Sequence, residues 1–186
     1  CFSHLLNSPG NFTAAKLRWV QENQPEIFSK VYKMMLPGDF IAMKLTGEIT
    51  TTASGLSEGT LWDFKENRVA TELLTHWGID SNIIPKLVPS LGVQGEVKAD
   101  VAKSLGLAEG VKVCYRGGDQ PNNAFSLNVL QPGEVAATAG TSGVIYGVTD
   151  KPAADLESRV NTFLHVTDTE QEKRNGVLVC VNGCGR

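Results

Sequence analysis

Asp119 is the residue whose setting most invites a chemical reading. It sits in "RGGDQPNNAF", residues 116–125, directly after two glycines and before Gln-Pro. A strand-like run, Val111 to Tyr115, leads into it, and a helix-compatible run follows. A carboxylate at such a joint can cap the helix or face a substrate as a base. The paired glycines read as a place where the backbone turns tightly to bring the carboxylate forward. A second stretch, "ATAGTSGVIY", residues 137–146, joins two apolar strand-like runs. Gly140 and Gly143 leave room for close backbone approach, and Thr141 and Ser142 add hydroxyl donors. Such a turn can aim successive N–H groups at a phosphate, or it can be a plain hairpin turn. It is no nucleophile elbow, because Val144 stands where the last glycine of G-x-S-x-G belongs. No lysine follows the glycines, so it is no Walker loop either. Together, a carboxylate at one strand end and a phosphate-cradling turn are parts of a phosphoryl-transfer site.

Elements must hold these residues in place. Residues 13–24 read as a helix with Thr13 as cap, Ala14, Leu17 and Val20 on one face, and Pro25 as its limit. In "LPGDFIAMKLTGE" Asp39 can cap a short helix that carries Ile41 and Leu45, with Gly47 at its end. Val69 to Trp77 reads as a helix closed by Gly78, and Val97, Val101 and Leu105 mark another closed by Gly106. "NIIPKLVPSLG" reads as an extended connection broken by two prolines. "TTTASGLSEGTLWDF" fits neither period. After Gly110 the texture turns to strands: "VKVCY", the two runs about Gly140–Gly143, "VNTFLHV" and "GVLVCV", with a helix over "NNAFSLNVL". Asn175-Gly176 reads as a turn before the last run. The first part, to about residue 110, is therefore expected to be mostly helical and the rest mostly strand.

The 186 residues suffice for one large domain or two small ones. Hydrophobic residues at 41% and charged residues at 20% belong to an ordinary globular chain. A net charge of -3 argues against a nucleic-acid partner, whose binding would need a basic surface. No apolar run approaches the roughly 20 residues that span a bilayer. Cys114 and Cys180 lie in apolar runs, where cysteine acts as a small hydrophobe. Cys180 and Cys184 have no second Cys/His pair with which to complete a zinc site. His165 reads as a buried structural histidine. Both ends of the sequence read as cut, so a piece of a longer protein is expected.

The segments "GNFTAAKLRWVQENQPEIF", "LPGDFIAMKLTGE", "SGLSEGTLWDF", "GGDQPNNA", "PGEVAATAGTSGVIYGV" and "TFLH" follow one another over essentially the whole chain. In this order they resemble the FGGY family of carbohydrate kinases, and within it the members that phosphorylate D-xylulose. The resemblance implies an α/β, actin/hexokinase-like (ribonuclease H-like) ATPase fold, present in part. Residues 1–114 would be the end of the first, sugar-binding domain, and residues 115–186 the start of the second, nucleotide-binding domain. Asp119 falls on the family's catalytic base, and Gln120 replaces the asparagine that usually follows it beside the sugar. Gly140, Thr141 and Ser142 fall on the turn that contacts the phosphates of ATP. ATP with Mg2+ and a ketopentose, D-xylulose before gluconate, ribulose or glycerol, are the implied small-molecule partners. Neither nucleic acid nor membrane is implied; a homodimer is among the admissible assemblies, and the cytoplasm is the implied location. A non-catalytic sugar-binding protein on the same fold is the alternative from another class. The family's N-terminal Asp-x-Gly-Thr hairpin and its Gly-rich adenosine segment are not found here, so the fragment alone is expected to be inactive.

Overall fold

Short helices, each stopped by its own sequence, build the first half of the chain in a computed structural model that describes residues 2–8, 10, 12–139 and 142–182. After α1 (Phe2–Leu5), α2 (Thr13–Asn23) buries Ala14 and Leu17. Pro25 ends α2 and also opens α3 (Pro25–Phe28), since a proline in a first turn has no N–H that the helix would need. Helix α4 (Pro37–Thr46) likewise starts on proline, and its Asp39 accepts a hydrogen bond from the Leu36 N–H at 3.2 Å. Gly47, at φ 83°, supplies the left-handed residue that ends it. Strand β1 (Thr50–Thr52) runs directly into α5 (Ala53–Glu58), which Thr52 caps through its hydroxyl.

A small hairpin, β2 (Trp62–Asp63) with β3 (Arg68–Val69), leads to α6 (Thr71–His76). A 3-10 turn at Ser81–Ile83 then precedes β4 (Lys86–Val88), which pairs in parallel with β1. Strand β5 (Leu91–Glu96) pairs antiparallel with β6 (Lys112–Tyr115), and α7 (Ala99–Leu105) fills the connection. From β6 the chain passes through Arg116-Gly117-Gly118 into α8 (Asp119–Ser126). Beyond it, β7 (Val135–Ala139), β8 (Ser142–Thr149), β9 (Asn161–Leu164) and β10 (Asn175–Asn182) form one antiparallel sheet in the order β7-β8-β10-β9.

Two apolar clusters sit on either side of β9. The first gathers Leu17, Leu56, Leu61, Leu74 and Ile83 with Leu164. The second gathers Ala124, Val144, Tyr146 and Leu178 with Phe163, against which Phe12 packs edge-on at 5.9 Å. Successive side chains of a strand point to opposite faces, so Phe163 and Leu164 place one strand in both cores. The edge of β9 away from β10 is satisfied by side chains of the first half. Asn7 donates to the Thr162 carbonyl at 2.7 Å and accepts from the Thr162 N–H at 2.8 Å. Ser54 donates to the Leu164 carbonyl at 3.1 Å, and the Ser57 hydroxyl accepts from the Leu164 N–H at 2.9 Å.

Several expectations need correction. Thr13 lies inside α2 and Phe12 is the N-cap, with no side-chain capping bond. Residues 68–69 pair as β3, so the helix expected from Val69 is shortened to α6; the Ala70 N–H bonds the Leu61 carbonyl instead of continuing a helical ladder. Leu91–Glu96, read as part of a connection or not at all, is a strand because β6 lies alongside to pair with it. Ile41 and Leu105 are exposed, and Ala42 and Ala102 carry the burial of α4 and α7. Asn175 and Gly176 open β10 and pair with both neighbours, so they form no turn; Gly176 is needed where the Tyr146 phenol lies against its backbone. Cys114 and Cys180 are exposed, because alternation along their strands puts them on the outer faces.

Candidate active site

The carboxylate at the centre of the site is placed by the residue three before it. Arg116 leaves β6 and turns back into the first half, where its side chain is 9% exposed. Its Nε donates to Gln94 Oε1 at 2.9 Å, its Nη1 to Asp39 Oδ1 at 3.1 Å and to the Thr50 carbonyl at 3.0 Å, and its Nη2 to the Thr50 hydroxyl at 2.7 Å. The guanidinium thus ties α4, β1 and β5 to the start of the loop. Burial pulls Asp39 up and Arg116 down, and each charge opposes the shift of the other.

Gly117 and Gly118 are not there for a tight turn, which corrects the reading from the sequence. Gly118 has φ -69° and ψ 171°, a conformation open to any residue, and neither glycine has a positive φ. They are glycines because other groups stand where their side chains would be. A Cβ on Gly117 would lie 2.7 Å from the Tyr115 hydroxyl and 2.9 Å from Val166 Cγ1. A Cβ on Gly118 would overlap both carboxylate oxygens of Glu58, the last residue of α5.

Asp119 follows as the first residue of α8, with Gly118 as the N-cap. It is exposed. The Gln120 N–H donates to its Oδ1 at 2.8 Å, and the Gln120 side-chain amide donates to its Oδ2 at 3.3 Å. Pro121 is tolerated in the first turn and is buried. Tyr115 holds α8 in place, donating to Asn122 Oδ1 at 3.0 Å and stacking on Phe125 at 5.3 Å.

A cleft of about 560 Å3 opens in front of this carboxylate. Its walls are Phe12 and Thr13, the start of α4, Thr52, Gly55 and Glu58 of the α5 region, residues 116–120, and Asn161, Phe163 and Leu178 of the sheet. Both halves of the chain therefore contribute to it. Asp119 and Gln120 are brought together there. Ser142 opens β8 and does not line the cleft, although α8 packs on β7 and β8 and so joins the hairpin to the carboxylate's helix. Gly140 and Thr141 lie outside the described residues. His165 is fully buried, with Nδ1 2.9 Å from the Tyr146 hydroxyl and Nε2 without a hydrogen-bond partner among the described residues, and burial brings it down to about 4.

Glu58 was not picked out from the sequence. Burial, reinforced by the charge of Asp119 and opposed by the Gly118 N–H, pushes its carboxyl up to about 7. Arg116 was missed as well. The signal for Arg116 was its position immediately before the glycines; "LSEG" around Glu58 carries none, because its role depends on a chain segment far along the sequence.

The fold is the actin/hexokinase-like fold of the FGGY sugar kinases, present in part. The profile of the FGGY family of carbohydrate kinases, N-terminal domain, matches residues 5–126, and the chain belongs to that family. It is 34% identical over 154 residues to the xylulose kinase of Lactococcus lactis subsp. lactis (strain IL1403), covering 83% of this chain and 30% of that protein. It is 33% identical over 161 residues to the xylulose kinase of Escherichia coli (strain K12), covering 86% of this chain and 33% of the relative. The crystal structure of xylulose kinase from Rhodospirillum rubrum superposes with a TM-score of 0.88 at 24% identity, over 98% of this chain and 36% of that one. The chain thus spans about a third of the length of these relatives.

Proposed function

We propose that this chain is the part of an ATP-dependent sugar kinase that carries the general base, and that the whole protein phosphorylates the terminal hydroxyl of a ketopentose, D-xylulose first. The observation that carries the reading is the placement of Asp119. It is an exposed carboxylate on a helix tip, in a cleft to which both halves contribute, and the buried Arg116 anchors the loop that leads to it. Relatives named xylulose kinase at 34% and 33% identity support D-xylulose over other sugars. Residues 1–114 would close the first domain and residues 115–186 open the second, so the cleft becomes the space between domains.

In this reading Asp119 accepts the proton of the sugar hydroxyl as that oxygen attacks phosphorus. The Gln120 amide, already turned toward Asp119, orients the neighbouring hydroxyl. Phosphoryl transfer has a loose transition state, so position and charge matter more than the strength of the base. Bound Mg-ATP supplies the phosphoryl group. A Mg2+ ion that arrives with ATP would be held mainly by phosphates and water. Gly140, Thr141 and Ser142 would contact those phosphates, on the strength of their sequence. Such a kinase works where ATP is made available, in the cytoplasm; no helix among the described residues is long and apolar enough to cross a membrane.

The test is Asp119→Asn in the full-length protein, assayed with D-xylulose and Mg-ATP beside a thermal melt. Asparagine keeps the shape and loses the proton acceptor, so kcat should fall by at least about a hundredfold. Asp119 is exposed, and losing its charge at the helix start should cost only about 0.3–1 kcal/mol of stability. Near-normal turnover would remove Asp119 from the chemistry and leave it a helix-start residue.

A further inference from the structure

Glu58 and Gly118 meet although they lie on different elements. Glu58 ends α5, Gly118 caps α8, and the carboxyl of one occupies the space that a Cβ on the other would need. The Gly118 N–H faces that carboxyl, while Glu58 Oε1 is buried and has no hydrogen-bond partner. The titratable groups facing it are Asp119 from α8, Tyr115 from β6 and Tyr146 from β8. Nothing in the chemistry proposed above uses a second carboxyl, and an acid in this position is unfavourable unless it serves something.

We infer that Glu58 is the positioning residue for Asp119: its carboxyl wedges against Gly118 and fixes the peptide from which Asp119 projects into the cleft. The contact stands on packing, and its consequence for turnover rests on the kinase reading. The wedge works best uncharged. Burial and the Asp119 charge push Glu58 up to about 7, so near neutrality much of it is a neutral acid that does not repel the carboxylate it supports. Gly118 then has a reason to be glycine that does not depend on its backbone angles. The pair also explains why a glutamate can end α5 facing inward.

Four variants of the full-length protein test this: Glu58→Ala, Glu58→Gln, Gly118→Ala, and Glu58→Ala combined with Gly118→Ala. Each is read by a thermal melt and by kcat and KM with D-xylulose and Mg-ATP. Gly118→Ala should lower the melting temperature in the wild-type background and lower it less in the Glu58→Ala background, where the new methyl enters vacated space. If the single variant fails to fold and the double variant folds, the contact is established more strongly still. Glu58→Ala should cut kcat at least about tenfold while the KM for ATP stays within about twofold, since a small misplacement of a catalytic group costs rate more than binding. Glu58→Gln, which keeps the shape and an acceptor for the Gly118 N–H, should restore most of that kcat. Equal melting losses from Gly118→Ala in both backgrounds would overturn the contact. Wild-type kcat in Glu58→Ala, with the wild type turning over normally, would overturn the positioning role alone. A wild type that phosphorylates no sugar would bring down the kinase reading and the positioning role together, while the melts would still decide the contact.

Discussion

Replacing Glu58 by glutamine should make the protein more stable at alkaline pH and leave it nearly unchanged at acid pH. The carboxyl is pushed from 4.5 to about 7 by burial and by Asp119. Between these values the folded protein holds a proton that the unfolded chain has released, so stability falls as pH rises through this window. The loss is complete above about 7, and at about 1.36 kcal/mol per pH unit it amounts to up to about 3 kcal/mol. Glutamine has no such proton to lose. His165 titrates with the opposite sign. It is held down to about 4, the unfolded chain takes up its proton nearer 6.5, and stability falls as pH drops between the two. The wild-type profile alone therefore mixes two opposed slopes. The difference between Glu58→Gln and wild type cancels the histidine and isolates Glu58. Urea unfolding of the full-length pair, followed by tryptophan fluorescence from pH 5 to 8.5, gives that difference. If this part unfolds on its own, about 2.1 cal/mol/K per residue converts 3 kcal/mol into a melting shift on the order of 8 °C. A difference constant across this range to within about 0.5 kcal/mol, or a glutamine variant less stable at pH 8, would show that the glutamate is neither buried nor within reach of the Asp119 charge as described.

Two further outcomes are expected. Arg116→Met leaves Asp39 buried without its cation and should cost about 3–5 kcal/mol; Asp39→Asn in that background should recover part of the loss, and urea midpoints decide it. Gly140→Ala with Thr141→Val in the full-length protein should raise the KM for ATP more than the KM for sugar; steady-state kinetics with each substrate varied would refute the phosphate assignment if the sugar KM rises and the ATP KM does not.

The fold was legible where a local cause sufficed. Pro25, Gly47 and Gly106 mark boundaries through their own backbone chemistry, and the hydrophobic runs of β6, β8 and β10 announce strands. It was illegible where a partner decides the outcome. Leu91–Glu96 becomes a strand because β6 lies beside it, and Asn175-Gly176, a strong turn signal in isolation, is drawn into β10 by two neighbouring strands. The site divides in the same way. Asp119 and Gln120 could be read from "GGDQ" and its neighbours. Glu58 could not, because what makes it more than a helix-end glutamate is the missing side chain of Gly118. The glycines themselves were noticed for the wrong reason, since close approach and left-handed backbone leave the same letter in a sequence.

The side-chain edging of β9 bears on how the two halves can be produced. Asn7, Ser54 and Ser57 act as a surrogate neighbouring strand, offering Thr162 and Leu164 the partners that another backbone would. A recombinant segment beginning after α8 would lose that cover and expose a strand edge with unpaired N–H and C=O groups beside the apolar Leu164. Bare edges of this kind recruit other strands. The sheet half expressed alone should therefore collect in inclusion bodies, and co-expression with the first half should keep it in the supernatant.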